Sequence, residues 1–338
     1  MRRRAARGLF HALTSPDHIA AAVVRTVRGK RRRPDVAAFL LDLEGHERTV
    51  LARLADGTWS PQRPTLLLLR DPKPRVIAKS TVADRVVHSA VALLLEPVIL
   101  RSASEADFAC RPAYGTHRAV LALQRAMRDH RFVLHLDIRS YFPSVRPEIV
   151  AQQVRGKIDD PAFVAVVERI LESGRGLYDT PAARRFAHID PDWPPPGRGL
   201  PMGSVTSQLF ATHLHLQDFD HEVKRRWKVA GYLRYVDDLF LFADSRARLR
   251  GLRQDVAAWL AAERDLRLKH PNAPVLPCAG HLDALGARIR RQAIEPLPEA
   301  FARLRACLWE WARGRHRNAP REGMQRALAS RLGGMFRL

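Results

Sequence analysis

Apolar positions recur along this chain in two rhythms, one helical and one alternating, and proline or glycine marks most of the changes between them. Helical spacing is first clear in VAAFLLDLEGHERTVLARLADG, which predicts helix from Val36 until Gly57. Pro61, Pro64, Pro72 and Pro74 then punctuate the apolar run LLLL, so short strands and turns are expected over 59–78. From Val82 to Leu100 the spacing predicts a helix halted near Pro97, and from Thr116 to about His130 a second one. FVLHLDI at 132–138 has the β-rich alternation of a buried strand, with Asp137 near its exit. A charge placed there needs a reason.

Residues 148–173 read as mostly helical despite Gly156 and Pro161, and they lead into a loop whose clearest breaker is DWPPPGRG at 192–199. TSQLFATHLHLQDFDHEVKRRW then predicts a helix carried by Leu209, Phe210, Leu214, Leu216, Phe219 and Val223. GYLRYVDDLFLFA at 231–243 sets two short apolar arms around Asp237 and Asp238, the pattern of a strand-turn-strand hairpin. An amphipathic helix is expected over LRGLRQDVAAWLAAERDL, ending at Leu266, and from Ala300 the chain reads as helix, breaker around HRNAP, and helix.

Charge narrows the partners. Of 338 residues, 57 are Lys or Arg and 35 are acidic, a formal charge of +22 that is large enough to attract a polyanion. The first 33 residues carry ten basic side chains against the single acid Asp17. Only seven of the basic residues are lysines, so most are arginines that can grip phosphates in a bidentate fork. Nucleic acid fits this better than an anionic membrane, and no stretch reaches the roughly 20 apolar residues of a membrane span. MRRRAARGLFHAL lacks a signal-peptide core and cleavage site, so the expected location is the cytoplasm with no membrane partner. Cys110, Cys278 and Cys307 are too few and too scattered for a disulfide framework. His213 and His215 have no nearby third ligand at metal-binding spacing.

Taken alone, Asp137 is an ordinary turn or cap residue and Asp237-Asp238 a solvated turn. Together, isolated acids at hydrophobic strand ends in a basic chain are what phosphoryl transfer needs. Nucleotidyl transfer with two divalent ions about 4 Å apart demands convergent carboxylates, and hard Mg2+ suits oxygen ligands. Asp137 and Asp237 meet if their strands neighbour each other in one sheet. Lys73, Arg75 and Lys79 in DPKPRVIAK form a cationic fork suited to a triphosphate.

Four segments, in order, resemble reverse transcriptases: KPRVIAKSTVADRVV at 73–87, LDIRSYFPSV at 136–145, GLPMGSVTSQ at 199–208 and YVDD at 235–238. The resemblance runs from about residue 25 to 295. It implies an α+β, right-hand polymerase architecture: a basic N-terminal segment (1–35), helical and β fingers (36–130), an antiparallel-sheet palm with finger-associated insertions (131–290) and a short helical thumb (291–338). It further implies that Asp137 and Asp237 are the principal Mg2+ ligands of a two-metal site, completed by Asp238. Arg75 is implied to contact the incoming dNTP, with Lys73 or Lys79 as companion. Phe142 resembles the gate against a ribose 2′-OH, and Met202, Gly203 and Gln208 lie in the loop against nucleotide and template. Lys269 resembles the lysine near the leaving group, and Leu285-Gly286 the turn that grips the primer end.

Within the family, Met202, Gln208, FACRPAYGTHRAV at 108–120 and DRVVH at 84–88 resemble the enzymes of diversity-generating retroelements. That implies RNA-directed DNA synthesis from an element-encoded template RNA on a primer-template duplex, errors at template adenines and a small basic accessory-protein oligomer. Methionine at 202 offers flexible apolar contact but no amide hydrogen bond. A defence-associated or intron-derived reverse transcriptase and a non-catalytic RNA-binding scaffold are the alternatives. In the last segment Arg303, Arg305, Arg313, Arg315, Arg317, Arg321, Arg326, Arg331 and Arg337 suit a nucleic-acid backbone, while Trp309 and Trp311 read as packing residues.

Overall fold

Proline sets where many of the helices begin. Pro16–Val27, Pro34–Leu41, Pro147–Arg155, Pro161–Glu172 and Pro181–Phe186 each open on it, at the position where its missing N–H costs nothing. Side-chain caps reinforce several starts: Thr81 accepts from the Asp84 amide, Asp160 from Phe163 and Thr180 from Ala183. The computed structural model describes residues 5–70 and 73–313. They form a mixed α+β fold of helices and antiparallel sheets in two compact units. Among the described residues no helix is long and apolar enough to cross a membrane.

The first unit comprises the described parts of Met1–Ser104, Ile138–His221 and Ala257–Lys269. Its centre is the helix Val82–Leu100, whose Val86, Val87, Ala90 and Val91 are buried where Pro16–Val27 brings Ile19, Ala22 and Val23. The helix spans the expected Val82–Leu100 and stops three residues after Pro97, which lies inside its last turn. An interior proline costs about 3 kcal/mol, but Leu95 and Ile99 on either side are each only 1% exposed. Burying two such side chains offsets that cost at about 1.5–3 kcal/mol each. β1 (Thr65–Leu69) pairs antiparallel with β2 (Arg75–Lys79) as a two-stranded ribbon.

The second unit comprises the described parts of Glu105–Asp137, Glu222–Val256 and His270–Leu338. Here β3 (Phe132–Asp137), β4 (Gly231–Tyr235), β5 (Asp238–Ala243) and β6 (Val275–Pro277) form an antiparallel sheet in the order β4-β5-β3-β6. Helix Thr116–Asp129 buries Ala119, Val120, Leu123 and Met127 in one core with Val133, Leu233, Phe240 and Phe242. β7 (Leu282–Ala284), β8 (Ala287–Ile289) and β9 (Ile294–Pro296) form a second antiparallel sheet that contributes Leu282 and Ile289 to that core.

The expected continuous helix through 206–227 is broken differently from the pattern. Its six apolar anchors are buried. The segments Phe210–Leu214 and Glu222–Arg226, however, are π-helical, with the His215 amide bonded to the Phe210 carbonyl at 2.9 Å. Each such turn takes in one residue more than an α turn. The last described helix, Pro298–Ala312, begins close to the expected Ala300. The second helix expected beyond HRNAP, with Arg315, Arg317, Arg321, Arg326, Arg331 and Arg337, and the side chain of Trp311, lie outside the described residues.

Candidate active site

β3 and β5 are neighbours in full register, and Asp137 is the direct partner of Asp238 at the end of the ladder. Directly opposed residues point to the same face of a sheet, so these two carboxylates, remote in sequence, share one face and one end. Asp237 precedes Asp238 in the two-residue turn that joins β4 to β5, between the paired Tyr235 and Asp238. All three are partly exposed, as a site for a phosphorylated substrate requires.

Two residues before Asp137 on the same face lies His135, a residue the sequence reading passed over. Its Nε2 is 2.7 Å from Asp238 Oδ1, and its ring stacks on Phe240 with centroids 4.4 Å apart. The stacked ring fixes the imidazole, and the imidazole fixes one oxygen of Asp238. The i, i+2 relation of His135 to Asp137 was legible in FVLHLDI; the role was not, because it needs the β3–β5 register. Among the described residues no group of three or more His, Cys, Asp or Glu side chains is clustered as a metal cage would be.

The turn itself is strained. Val236 has φ of +59°, a left-handed conformation unfavourable for a β-branched residue and worth about 1–3 kcal/mol. A positive φ at the first loop position is what tight hairpins demand, and glycine is its usual occupant. In the other hairpin, Leu285 and Gly286 form the two-residue turn between β7 and β8, with φ of +53° and +83°.

The first unit holds the candidate nucleotide residues. Arg75 and Lys79 are exposed at the two ends of β2, and Lys73 is exposed just before it. Lys79 Nζ lies 3.1 Å from Asp35 Oδ2, which Arg85 also engages at 2.8 Å. The Lys79 hydrogen bond, with the charge of Arg85 behind it, holds the Asp35 carboxyl below its usual range.

The loop 199–203 is fastened on both sides within this unit. The Leu200 amide donates to the Phe142 carbonyl at 2.9 Å, and the Gly199 amide to Val145 at 2.9 Å. Tyr178 donates its hydroxyl to the Leu200 carbonyl and accepts from the Met202 amide, while the Met202 carbonyl accepts from Ala78 in β2 at 2.8 Å. Burial pushes the Tyr178 hydroxyl up to about 12, so it stays protonated and can donate. At Gly203, with φ of +105°, a Cβ would meet Ile77 Cγ2 at 2.8 Å. Phe142, Met202, Gly203 and β2 are therefore one assembly, and Gln208 is exposed in the adjoining helix Val205–Leu209.

Beside that assembly is a cavity of about 370 Å³ lined by Arg25, Lys30, Arg33, Lys79, His88 and Gly203 among others. His88 bonds through Nδ1 to Ser204 and Thr206, each at 2.8 Å, and burial pushes its pKa down to about 4. Lys269 is exposed, directly after the isolated bridge that pairs Ile138 with Leu268.

Residues 70–270 match the family described as reverse transcriptase (RNA-dependent DNA polymerase). The chain belongs to the reverse transcriptase family. That segment takes in β2, the loop 199–208 and the Asp137/Asp237-Asp238 strand pair. The chain is 23% identical to protein YkfC of Escherichia coli (strain K12) over 367 aligned positions, covering 89% of this chain and 91% of that protein. It is 22% identical to the group II intron-encoded protein LtrA of Lactococcus lactis subsp. cremoris, over 51% of this chain and 27% of LtrA. It therefore spans about a quarter of that relative's length. Apo telomerase from Candida tropicalis matches with a TM-score of 0.49 and 9% identity, covering 75% of this chain and 53% of that one.

Proposed function

We propose that this reverse transcriptase family member is an active RNA-directed DNA polymerase of the intron-derived kind, extending a DNA primer along an RNA template with dNTPs. The observation that carries the reading is the β3–β5 register: it sets Asp137 opposite Asp238, with Asp237 in the turn, inside the segment that matches the family. An all-carboxylate donor set at a partly exposed strand end fits hard Mg2+. Asp137 and Asp237 would hold it, and Asp238, with one oxygen already on His135, completes the acidic field. When bound, the metal supplies Lewis-acid stabilisation of charge on the phosphoryl oxygens.

The other residues bind and select. In this reading Arg75, with Lys73 or Lys79, takes the triphosphate through charge-assisted hydrogen bonds. Phe142 closes the space of a ribose 2′-OH, Met202 and Gly203 offer an apolar surface and backbone to the nucleotide, and Gln208 faces the template. Lys269 serves the leaving group and the Leu285-Gly286 turn the primer end. Fingers (36–130), palm (131–290) and thumb (291–338) are the corresponding assignments along the chain. The charge of +22 supports a polyanionic partner, template RNA and the primer-template duplex.

The match to an intron-encoded relative favours this reading over diversification of a target gene. Met202, which cannot hydrogen bond to a base through an amide, is what supports the diversification reading, with its accessory oligomer and adenine-directed errors. Sequencing cDNA made on the native RNA separates the two: errors clustered at template adenines support diversification, and evenly distributed errors the intron-derived reading.

The test of catalysis is extension of a primed RNA template with dNTPs and Mg2+. Asp237→Asn should lower extension by about 100-fold or more, the scale set by removal of one group that stabilises transition-state charge, while primer-template binding stays within about twofold. Equal extension by wild type and variant overturns the assignment. A wild type that binds RNA yet never extends it supports the scaffold alternative.

A further inference from the structure

Among the described residues Arg234 is one of the largest fully buried side chains, and it lies in the strand that leads into the strained turn. On β4, its guanidinium is 0% exposed and meets Asp107 Oδ2, 1% exposed, at 3.2 Å. The same guanidinium donates through Nη1 to the carbonyl of Val236 at 3.2 Å. The backbone repeats the link: the Arg234 amide donates to Ala106 at 2.7 Å, and the Phe108 amide to the Arg234 carbonyl at 3.0 Å.

Three facts bear on what this arrangement does. A fully buried ion pair adds little stability that a well-packed apolar pair would not provide, so its presence in a core asks for another use. Val236 holds φ of +59°, which a valine leaves unless its surroundings fix it. The carbonyl that Arg234 holds belongs to that residue, and the next residue is Asp237.

We propose that Arg234, held by Asp107, is a positioning residue: its guanidinium braces the Val236 carbonyl and keeps the strained turn in the one conformation that presents Asp237. Arginine suits the task because its planar fork meets the two acceptors through two separate nitrogens, a span that the single nitrogen of a lysine, for all its three donors, does not reproduce. A glycine in place of Val236 would keep the carbonyl but take the same φ without strain, so the brace would have no strain to hold against. The inference uses the polymerase reading only for its activity readout.

The test is a double-mutant cycle in the full chain: Arg234→Lys in the wild-type background and in a Val236→Gly background. Two quantities are followed, primer extension and amide hydrogen exchange of a peptide covering 231–243. With Val236 present, Arg234→Lys should speed exchange in that peptide and lower extension by about tenfold, with primer-template binding within about twofold. In the Val236→Gly background, the same change should cost less than about threefold in extension and leave exchange as in Val236→Gly alone. Equal losses in both backgrounds, or no change in the wild-type background, overturn the proposal. Where Arg234→Lys does not fold by circular dichroism, Asp107→Asn, which keeps the acceptor shape without its charge, runs through the same cycle. Should neither variant fold in either background, the pair is a requirement of the core and the proposal falls. If the wild type does not extend primers at all, the polymerase reading fails, and the exchange data still decide the brace.

Discussion

His88 is nearly inaccessible, bonded through Nδ1 to two hydroxyls, and its pKa sits at about 4 because burial disfavours the charged ring. The unfolded chain takes a proton at about 6.5, while the folded one refuses it down to about 4. Stability tied to this residue is therefore full above pH 6.5 and is lost as pH falls toward 4. At about 1.4 kcal/mol per pH unit the loss approaches about 3 kcal/mol. Asp84, whose pKa burial raises, works in the opposite direction, so the comparison must be between proteins at each pH. Urea unfolding of wild type and His88→Gln at pH 7.5 and pH 5 should show a smaller fall for the variant; parallel falls would count against a buried neutral histidine. At this scale the sequence exposed Asp137, Asp237 and Asp238, because carboxylates at the ends of apolar strands are conspicuous. His135, Arg234 and Asp107 stayed hidden. Their roles come from a register, a parallel bridge and a positive φ, none of which leaves a mark in residue spacing.

Among the elements, the loop 199–203 is held by its neighbours in the fold more than by its own conformational preference. It hangs on Phe142, Val145, Tyr178 and Ala78. Gly203→Ala brings a Cβ to within 3 Å of Ile77 at a backbone conformation that alanine resists. The expected cost is about 1–3 kcal/mol, read as a lower thermal midpoint, together with weaker dNTP use because β2 carries Arg75 and Lys79. An unchanged midpoint and KM would show that the loop is not fixed in this way. β3, β4 and β5 and the Val82–Leu100 and Thr116–Asp129 helices were legible, since apolar patterning and helical spacing report which face is buried, whereas the short strands β6 to β9 were not. Pro97 marked the helix end to within one turn; the last residues stay helical because a local penalty yields to buried neighbours on both sides. The π turns were illegible for a similar reason: their anchors are the residues a plain helix would use.

For the whole molecule, charge is the property with the plainest consequence. A net +22 predicts that primer-template affinity falls steeply with salt, by about a thousandfold or more between 50 and 200 mM if six or more phosphates are neutralised. Filter binding across that range measures it, and a shallow slope would place most of the arginines away from nucleic acid. The π-helical turn at Phe210–Leu214 has its own long reach. One residue subtends about 100° of a helix, so deleting a single amino acid there is a rotation rather than a shortening. Gln217, bonded to the Ser102 hydroxyl and Lys157, His221 on the Ser102 carbonyl, and Asp218 on Arg264 would all swing away from their partners together. A sequence comparison that scored such a gap as a trivial one-residue loss would miss that it re-aims every side chain that follows in the helix.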